Sequence, residues 1–280
     1  MMYIVCVIIR LENLYIREFC EHYLSLGFSK CVVYDNNFVD GENPIPILSD
    51  FINEGYVDVI DFRGLSECQH IAYNDCLERY SDTGAWILFV DCDEFLVLNN
   101  HKTIGDYMDD IIPSTFRCVK FNWKCYGDSD LVRYDNRNVM DRFTIPFEKD
   151  FNIFGYKHNR LCKSMVKCGQ GLEYTSLTSH NPMKNPNNAL CCNSDGTEEL
   201  MEKSLTGDIH WGNAQINHYV TKTIEEFIKY KAIRGYPDKN THMLDFFSAK
   251  DMFFIYPNLK TDKKVILADN IINRYIIVGF

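Results

Sequence analysis

Short apolar runs alternate with amphipathic stretches through the first hundred residues. Tyr3 to Ile9 is a β-branched apolar run and reads as a strand. Glu12 to Leu26 places Leu14, Phe19, Tyr23 and Leu26 on one helical face, and Gly27 supplies a stop. Cys31 to Tyr34 is a second strand, followed by Asp35-Asn36-Asn37. A helix opens at Pro44, runs to Asn53 and ends at Gly55; Val57 to Ile60 is a third strand closed by Asp61. Glu67 to Tyr80 reads as a helix and Trp86 to Val90 as a fourth strand. The β-α-β-α-β-α-β order predicts an α/β fold with a mostly parallel central sheet flanked by helices. Ligands of such sheets bind outside the carboxyl ends of the strands. Asp35, Asp61 and Asp91 fall at those ends, so one rim is polar and cation-seeking.

The order changes beyond Phe95. Ile104 to Ile112 is a short helix and Phe116 to Trp123 a strand. Residues 124–215 are polar and loop-rich, with Asn181 to Asn188 close to low complexity. Long irregular connections of this kind are usually functional. Thr223 to Arg234 (TIEEFIKYKAIR) reads as a helix ended by Gly235 and Pro237. Further helices are expected over His242 to Met252 and Lys264 to Arg274, with the apolar Ile271 to Phe280 packing as core.

Composition narrows the classes. A chain of 280 residues, 46% hydrophobic, can bury a sizeable core. Its formal net charge of −10 argues against nucleic acid as a partner and against broad adhesion to an anionic membrane, leaving room for local peripheral contact. No window approaches the roughly 18 apolar residues of a spanning helix. Met1 to Ile9 lacks the basic stretch and cleavage site of a signal peptide, so a cytoplasmic protein is expected. Twelve cysteines without a C-x-x-C pair fit reduced thiols in a core, as at Cys6, Cys31, Cys76 and Cys118. Cys191-Cys192 reads as a loop feature. Neither a G-x-G-x-x-G nor a Walker A loop is present, which disfavours dehydrogenases and P-loop NTPases.

Candidate chemistry concentrates in Trp86 to Leu96, WILFVDCDEFL. The apolar run stops at Asp91-Cys92-Asp93-Glu94, and carboxylates so close repel one another unless a cation sits among them. Asp91 and Asp93 can both approach one divalent ion, and hard oxygen ligands suit Mg²⁺ or Mn²⁺ shared with substrate phosphates. With no glycine-rich loop, the metal would neutralise a diphosphate, which points to nucleotide-sugar or nucleotidyl chemistry. The plain alternative is an acidic turn that solvates a strand end.

Four segments in order resemble glycosyltransferase family 92, close to family 2-like bacterial sugar transferases. They are LENLYIREFCEHYLSLG, VVYDNNFVDG, QHIAYNDCL with WILFVDCDEFL, and INHYVTKTIEEFIKYKAIRG. Leu11 and Phe38 depart from the pattern, where Asn and Ser are usual. The resemblance implies a GT-A fold, with residues 1–115 binding nucleotide sugar and metal and residues 116–280 forming a loop-rich acceptor-binding half. It implies inverting transfer of a hexose, galactose by default, from a UDP-sugar to a glycan or lipid-linked oligosaccharide in surface or capsular polysaccharide synthesis.

The same resemblance assigns residues. Asp91 would meet the ribose or metal-bound water, Asp93 would bind the Mn²⁺ or Mg²⁺, and His218 would complete the metal shell. Glu94 would orient its surroundings. Lys222 would meet the diphosphate as a point charge, or simply sit at a solvated helix start. Asp35 would accept a hydrogen bond from the base, with Asn36 and Asp40 building the turn. Arg10 and Glu12 would flank the base, and Gln69 would point at the same cleft. Inversion needs a general base; Asp141, in Asp141-Arg142-Phe143, is the first candidate and Asp128 its rival. Trp123 and Tyr126 would stack on a sugar or fill core, and Lys163 and His180 are candidate substrate contacts.

Two other classes fit the sequence less well. A nucleotidyltransferase usually carries a glycine-rich basic loop after its first strand, whereas residues 10–30 hold only Gly27. A non-catalytic sugar-nucleotide-binding protein would have no need of an intact Asp91, Asp93 and His218.

Overall fold

The computed structural model describes residues 1–129, 131–150, 152–153, 156–169, 172–174, 180, 190–199, 204–231 and 234. The helices expected at 242–252 and 264–274, the stops Gly235 and Pro237, the polar stretch 181–188 and the apolar segment 271–280 lie outside the described residues.

The chain begins β1 (Tyr3–Ile9), α1 (Ile16–Ser25), β2 (Lys30–Asp35), α2 (Ser49–Asn53), β3 (Val57–Asp61), α3 (Gln69–Arg79), β4 (Trp86–Phe89). It continues with β5 (Glu94–Leu98), α4 (Ile104–Ile111), β6 (Phe116–Cys125), α5 (Val139–Arg142), β7 (Asn152–Ile153) and β8 (Tyr156–Lys157). Then come β9 (Cys162–Lys167), β10 (Leu190–Asn193), β11 (Glu198–Glu199), β12 (Ala214–His218) and α6 (Ile224–Glu226). The main sheet runs β11-β10-β6-β9-β4-β1-β2-β3, with β12 paired to β5 and β6.

All seven residues of β1 are buried, as a strand covered on both faces requires. Alternation splits them: Ile4, Cys6 and Ile8 pack with Ala72, Tyr73 and Cys76 of α3. On the opposite face, Cys31 of β2 lies beside Cys20 of α1. The strands β3, β2, β1 and β4 are mutually parallel. All twelve cysteines are buried free thiols.

The sheet is mixed because β9 runs antiparallel to both β4 and β6. This strand fell in the stretch expected to be loop-rich. Its sequence, CKSMVK, has no clean alternation, so only long-range pairing reveals it. One compact unit comprises Met1–Lys124 with Glu148–His218, and the other Cys125–Phe147 with the chain from Tyr219.

Helix ends follow local chemistry. α1 starts later than expected because Leu11 takes a positive φ of 57° and the Glu12 carbonyl accepts the Tyr15 and Ile16 N–H groups in a preceding turn. Its buried face is therefore Ile16, Phe19, Cys20 and Tyr23, and Leu14 is exposed. Gly27, with φ of 85°, closes it: Gly27 N–H donates to Leu24 O and Phe28 N–H to Tyr23 O, a Schellman arrangement sealed by the Tyr23–Phe28 ring contact. The expected 223–234 helix is a short α-helical turn followed by a π-helical one over Phe227–Lys231. Apolar periodicity over five residues does not separate the two. Among the described residues, no helix is long and apolar enough to cross a membrane.

Candidate functional site

β4 delivers the chain to the acidic turn at the carboxyl end of the parallel strands. The turn is closed by two hydrogen bonds: Glu94 N–H donates to Asp91 O at 3.0 Å, and Asp91 N–H donates to Glu94 Oε2 at 2.8 Å. The antiparallel register of β9 against β4, Leu88 opposite Met165, continues to bring Lys163 alongside the turn. Lys163 Nζ donates to Asp91 Oδ2 at 2.8 Å and lies 3.4 Å from Glu94 Oε2. Gln69 Nε2, from the first residue of α3, donates to Asp91 Oδ1 at 3.1 Å and to Tyr73 Oη at 3.0 Å. Burial pushes the Glu94 carboxyl well above the usual carboxylate range, Lys163 opposes that shift, and Asp91 and Asp93 add to it. Burial works against the Lys163 ammonium, but Asp91 and Glu94 hold it above its ordinary value.

β12 brings His218 to the same place, since its antiparallel register sets His218 opposite Glu94. His218 Nε2 lies 3.6 Å from Asp93 Oδ1, and both residues are buried. That separation is long for a hydrogen bond and suits two ligands of one cation, an imidazole nitrogen and a carboxylate oxygen being an acceptable pair for Mn²⁺. Asp91, the third expected ligand, is engaged by Lys163 and Gln69 instead. Among the described residues, no three metal-ligating side chains converge on one point. Asp93 and His218 therefore fit a shared ion as a pair, while Asp91 is held by Lys163 and Gln69.

Behind His218 is a ring cluster. Trp123, only 6% exposed, packs against His218, His180 and His158, with centroids 4.2, 5.2 and 5.6 Å away. It is bedded in imidazoles rather than offered to a sugar face. His180 Nδ1 pairs with Cys162 O at 3.0 Å; since a carbonyl only accepts, Nδ1 carries the proton. Burial, reinforced by Lys163, pushes His180 down to about 4, and burial also lowers His158 and His22. An unfolded histidine titrates near about 6.5. The folded state thus binds fewer protons, and the stability held by the neutral rings is complete above that value and lost as the pH falls toward about 4. The urea midpoint is expected to drop between about pH 7 and about pH 4.5, with a smaller drop in His180→Gln.

The neighbouring rim is stitched from the loops after β1, β2 and β3. Arg10 donates to Asn36 O and Oδ1 and to Leu65 O, and its guanidinium lies 5.5 Å from the exposed Phe38 ring. Asp35 is buried: its Oδ1 accepts the Asn37 N–H and Nδ2, and its Oδ2 accepts Arg63 Nε at 2.7 Å. Both Asp35 oxygens are therefore engaged in organising the rim. Glu12 is buried, whereas Asp40 and Asp61 are exposed, Asp61 accepting the Arg63 N–H. Gln69 and Asp91 are brought together, as are Asp93 and His218. Arg63 went unnoticed in the sequence, where neither spacing nor charge singles it out; Tyr73 lies within the family-like QHIAYNDCL segment, which gave it no role.

The remaining candidates, Asp128, Asp141, Tyr126 and Lys222, belong to the second unit. Asp141 is exposed on α5, whereas Asp128 is buried. Tyr126 packs on Tyr219 with centroids 4.9 Å apart. Lys222 is buried and takes a positive φ of 54°, so it is not a solvated helix start. Within this unit Arg142 forms a bidentate pair with Glu226, at 2.8 and 2.9 Å.

The acidic turn, the imidazole facing it and the strand order stand in a chain whose residues 2–243 match the sequence profile of glycosyltransferase family 92. The chain belongs to glycosyltransferase family 92. A family 92 protein of Oryza sativa subsp. japonica is 25% identical over 104 residues, 37% of this chain and 18% of the rice protein. This family 92 chain thus spans under a fifth of that relative's length. Among solved structures, S. aureus TarS 1-349 in complex with UDP-GlcNAc aligns over 99% of this chain and 72% of its own, with 13% identity and a TM-score of 0.44. The same protein in complex with UDP aligns over 82% of this chain and 63% of its own, with 13% identity and a TM-score of 0.41.

Proposed function

We propose that this family 92 protein transfers a hexose, galactose by default, from a UDP-sugar to a glycan or lipid-linked oligosaccharide, with inversion, in surface or capsular polysaccharide synthesis. The observation that carries the reading is the approach of Asp93 Oδ1 and His218 Nε2, 3.6 Å apart, beside a clamped Asp91 at the carboxyl rim of the sheet. Asp93 and His218 would hold a Mn²⁺ or Mg²⁺ ion. When bound, the ion would act as a Lewis acid on the diphosphate, where negative charge builds as the nucleotide departs.

The chain's own residues do the rest. Asp91, its side chain 36% exposed, offers its open side to a donor hydroxyl while Lys163 and Gln69 fix its orientation. Arg10, held on Asn36, presents a planar cation next to Phe38 on the rim expected to receive the base. By the family resemblance Lys222 would meet the diphosphate as a point charge. Asp141 and Asp128 are the carboxylates suited to take the acceptor's proton; exposure favours Asp141.

Calorimetric titration of UDP and UDP-galactose, with Mn²⁺ and with EDTA, tests this. Binding that requires Mn²⁺ is expected for both. If neither nucleotide binds under either condition, the UDP-sugar reading fails.

A further inference from the structure

The three carboxylates of the turn after β4 are not equivalent. Glu94 and Asp93 are 0% and 2% exposed, whereas the Asp91 side chain is 36% exposed. Asp91 is nonetheless held on both oxygens, by Lys163 Nζ at 2.8 Å and Gln69 Nε2 at 3.1 Å. Both holding groups are fixed in turn. Lys163 is buried on a strand paired on both edges, and its ammonium also approaches Glu94. Gln69 is buried and tied to Tyr73. An ammonium and a divalent cation compete for the same carboxylate, and drawing apart a buried pair of this kind leaves an uncompensated charge.

We propose that Lys163 is the positioning residue that enforces the division the family resemblance implies, keeping Asp91 out of the cation's ligand set so that Asp93 and His218 hold the ion and Asp91 meets the donor. The inference rests on the metal-dependent reading above and divides the labour within it. By residue type and spacing Asp91 and Asp93 look alike, two acids flanking Cys92, and only the family resemblance assigns them different parts. In the fold β9 distinguishes them, because its ammonium reaches one of them in a hydrogen bond. Lys163 has a second consequence: its charge offsets one of the three acids, so the incoming cation meets a less negative turn. Removing it therefore does two things in the same direction. It frees an oxygen ligand, and it removes a like charge from the ion's surroundings.

Mn²⁺ binding to the nucleotide-free full chain, measured by calorimetry and by the free-ion paramagnetic resonance signal, tests the assignment. Asp93→Ala is expected to abolish binding, and Asp91→Ala to stay within about threefold of wild type. Lys163→Gln is expected to bind Mn²⁺ at least about tenfold tighter, a gain that Asp91→Ala erases when the two are combined. If Asp91→Ala alone weakens binding as far as Asp93→Ala does, Asp91 is a direct ligand and the proposal falls. Unchanged or weaker binding by a folded Lys163→Gln protein also overturns it. Should that variant not fold, the Asp91→Ala comparison decides alone. Wild type that binds no Mn²⁺, with or without UDP, overturns the metal-dependent reading and this inference together; dependence on Asp91 in a wild type that does bind overturns only this one.

Discussion

Asp93→Ala is expected to lower the proposed sugar transfer by about 10³-fold or more without unfolding the protein. Lewis-acid stabilisation of a departing diphosphate is worth several kcal/mol, and each 1.36 kcal/mol is tenfold in rate, so losing about 4 kcal/mol gives that figure. Asp93 is buried and faces His218, and Asp91, the other acid of the pair, is held away by Lys163. The turn itself survives, because its closing hydrogen bonds run between Asp91 and Glu94. Asp93 also raises the Glu94 carboxyl by repulsion, so its removal relieves the metal-free protein. The melting temperature in EDTA should therefore not fall, while the stabilisation that Mn²⁺ gives wild type should vanish. His218→Ala should retain partial activity, restored by excess Mn²⁺. A loss under about tenfold for Asp93→Ala at saturating Mn²⁺ would mean that Asp93 does not carry the ion.

What could be read from the chain was set by how local its cause was. The strand ending at Asp91 was legible because WILFV breaks abruptly into acid, and β1 because seven apolar residues in a row suit a strand buried on both faces. Gly27 ended α1 as expected, since a left-handed residue there is a matter of three neighbouring carbonyls. β9 was not legible: its neighbours β4 and β6 are separated from it by the first part of the loop-rich stretch, and CKSMVK alternates too poorly to declare a face. With β9 went the reason Lys163 matters. The sequence offered Lys163 only as a substrate contact through family resemblance, whereas the fold places it under Asp91. Asp35 was found at the rim, but its partner Arg63 lies across the loop after β3, and that contact decides what its oxygens are free to do. One signal lay in plain view unread. Thr223-Ile224-Glu225-Glu226 spells a capping box, and both halves of it form.

That capping box is where the largest loss of stability is expected. Arg142→Ala should cost about 3–5 kcal/mol, the range for removing one partner of a buried ion pair. Arg142 and Glu226 side chains are each 1% exposed, and the guanidinium fork meets both carboxylate oxygens. Glu226 does double duty: its carboxylate accepts the Thr223 N–H and hydroxyl, while its own N–H donates to Thr223 Oγ1. Without Arg142 the negative charge stays buried at the start of α6, where the cap alone must hold it. Arg142 also donates to Arg137 O and packs its guanidinium 4.8 Å from Phe143 and 5.3 Å from Tyr134, so truncation empties space as well. Urea denaturation of the full chain gives the comparison. Arg142→Lys, which keeps the charge but loses the fork, should fall between wild type and Arg142→Ala. Arg142→Met combined with Glu226→Gln should recover a substantial part of the loss, because the uncompensated charge is gone while an amide can still accept from Thr223. A cost below about 1 kcal/mol for Arg142→Ala would mean that water reaches Glu226 and that the pair is not buried in solution. In the segment Asp141-Arg142-Phe143, then, the acid is exposed, while the adjacent arginine is buried against Glu226 within the same unit.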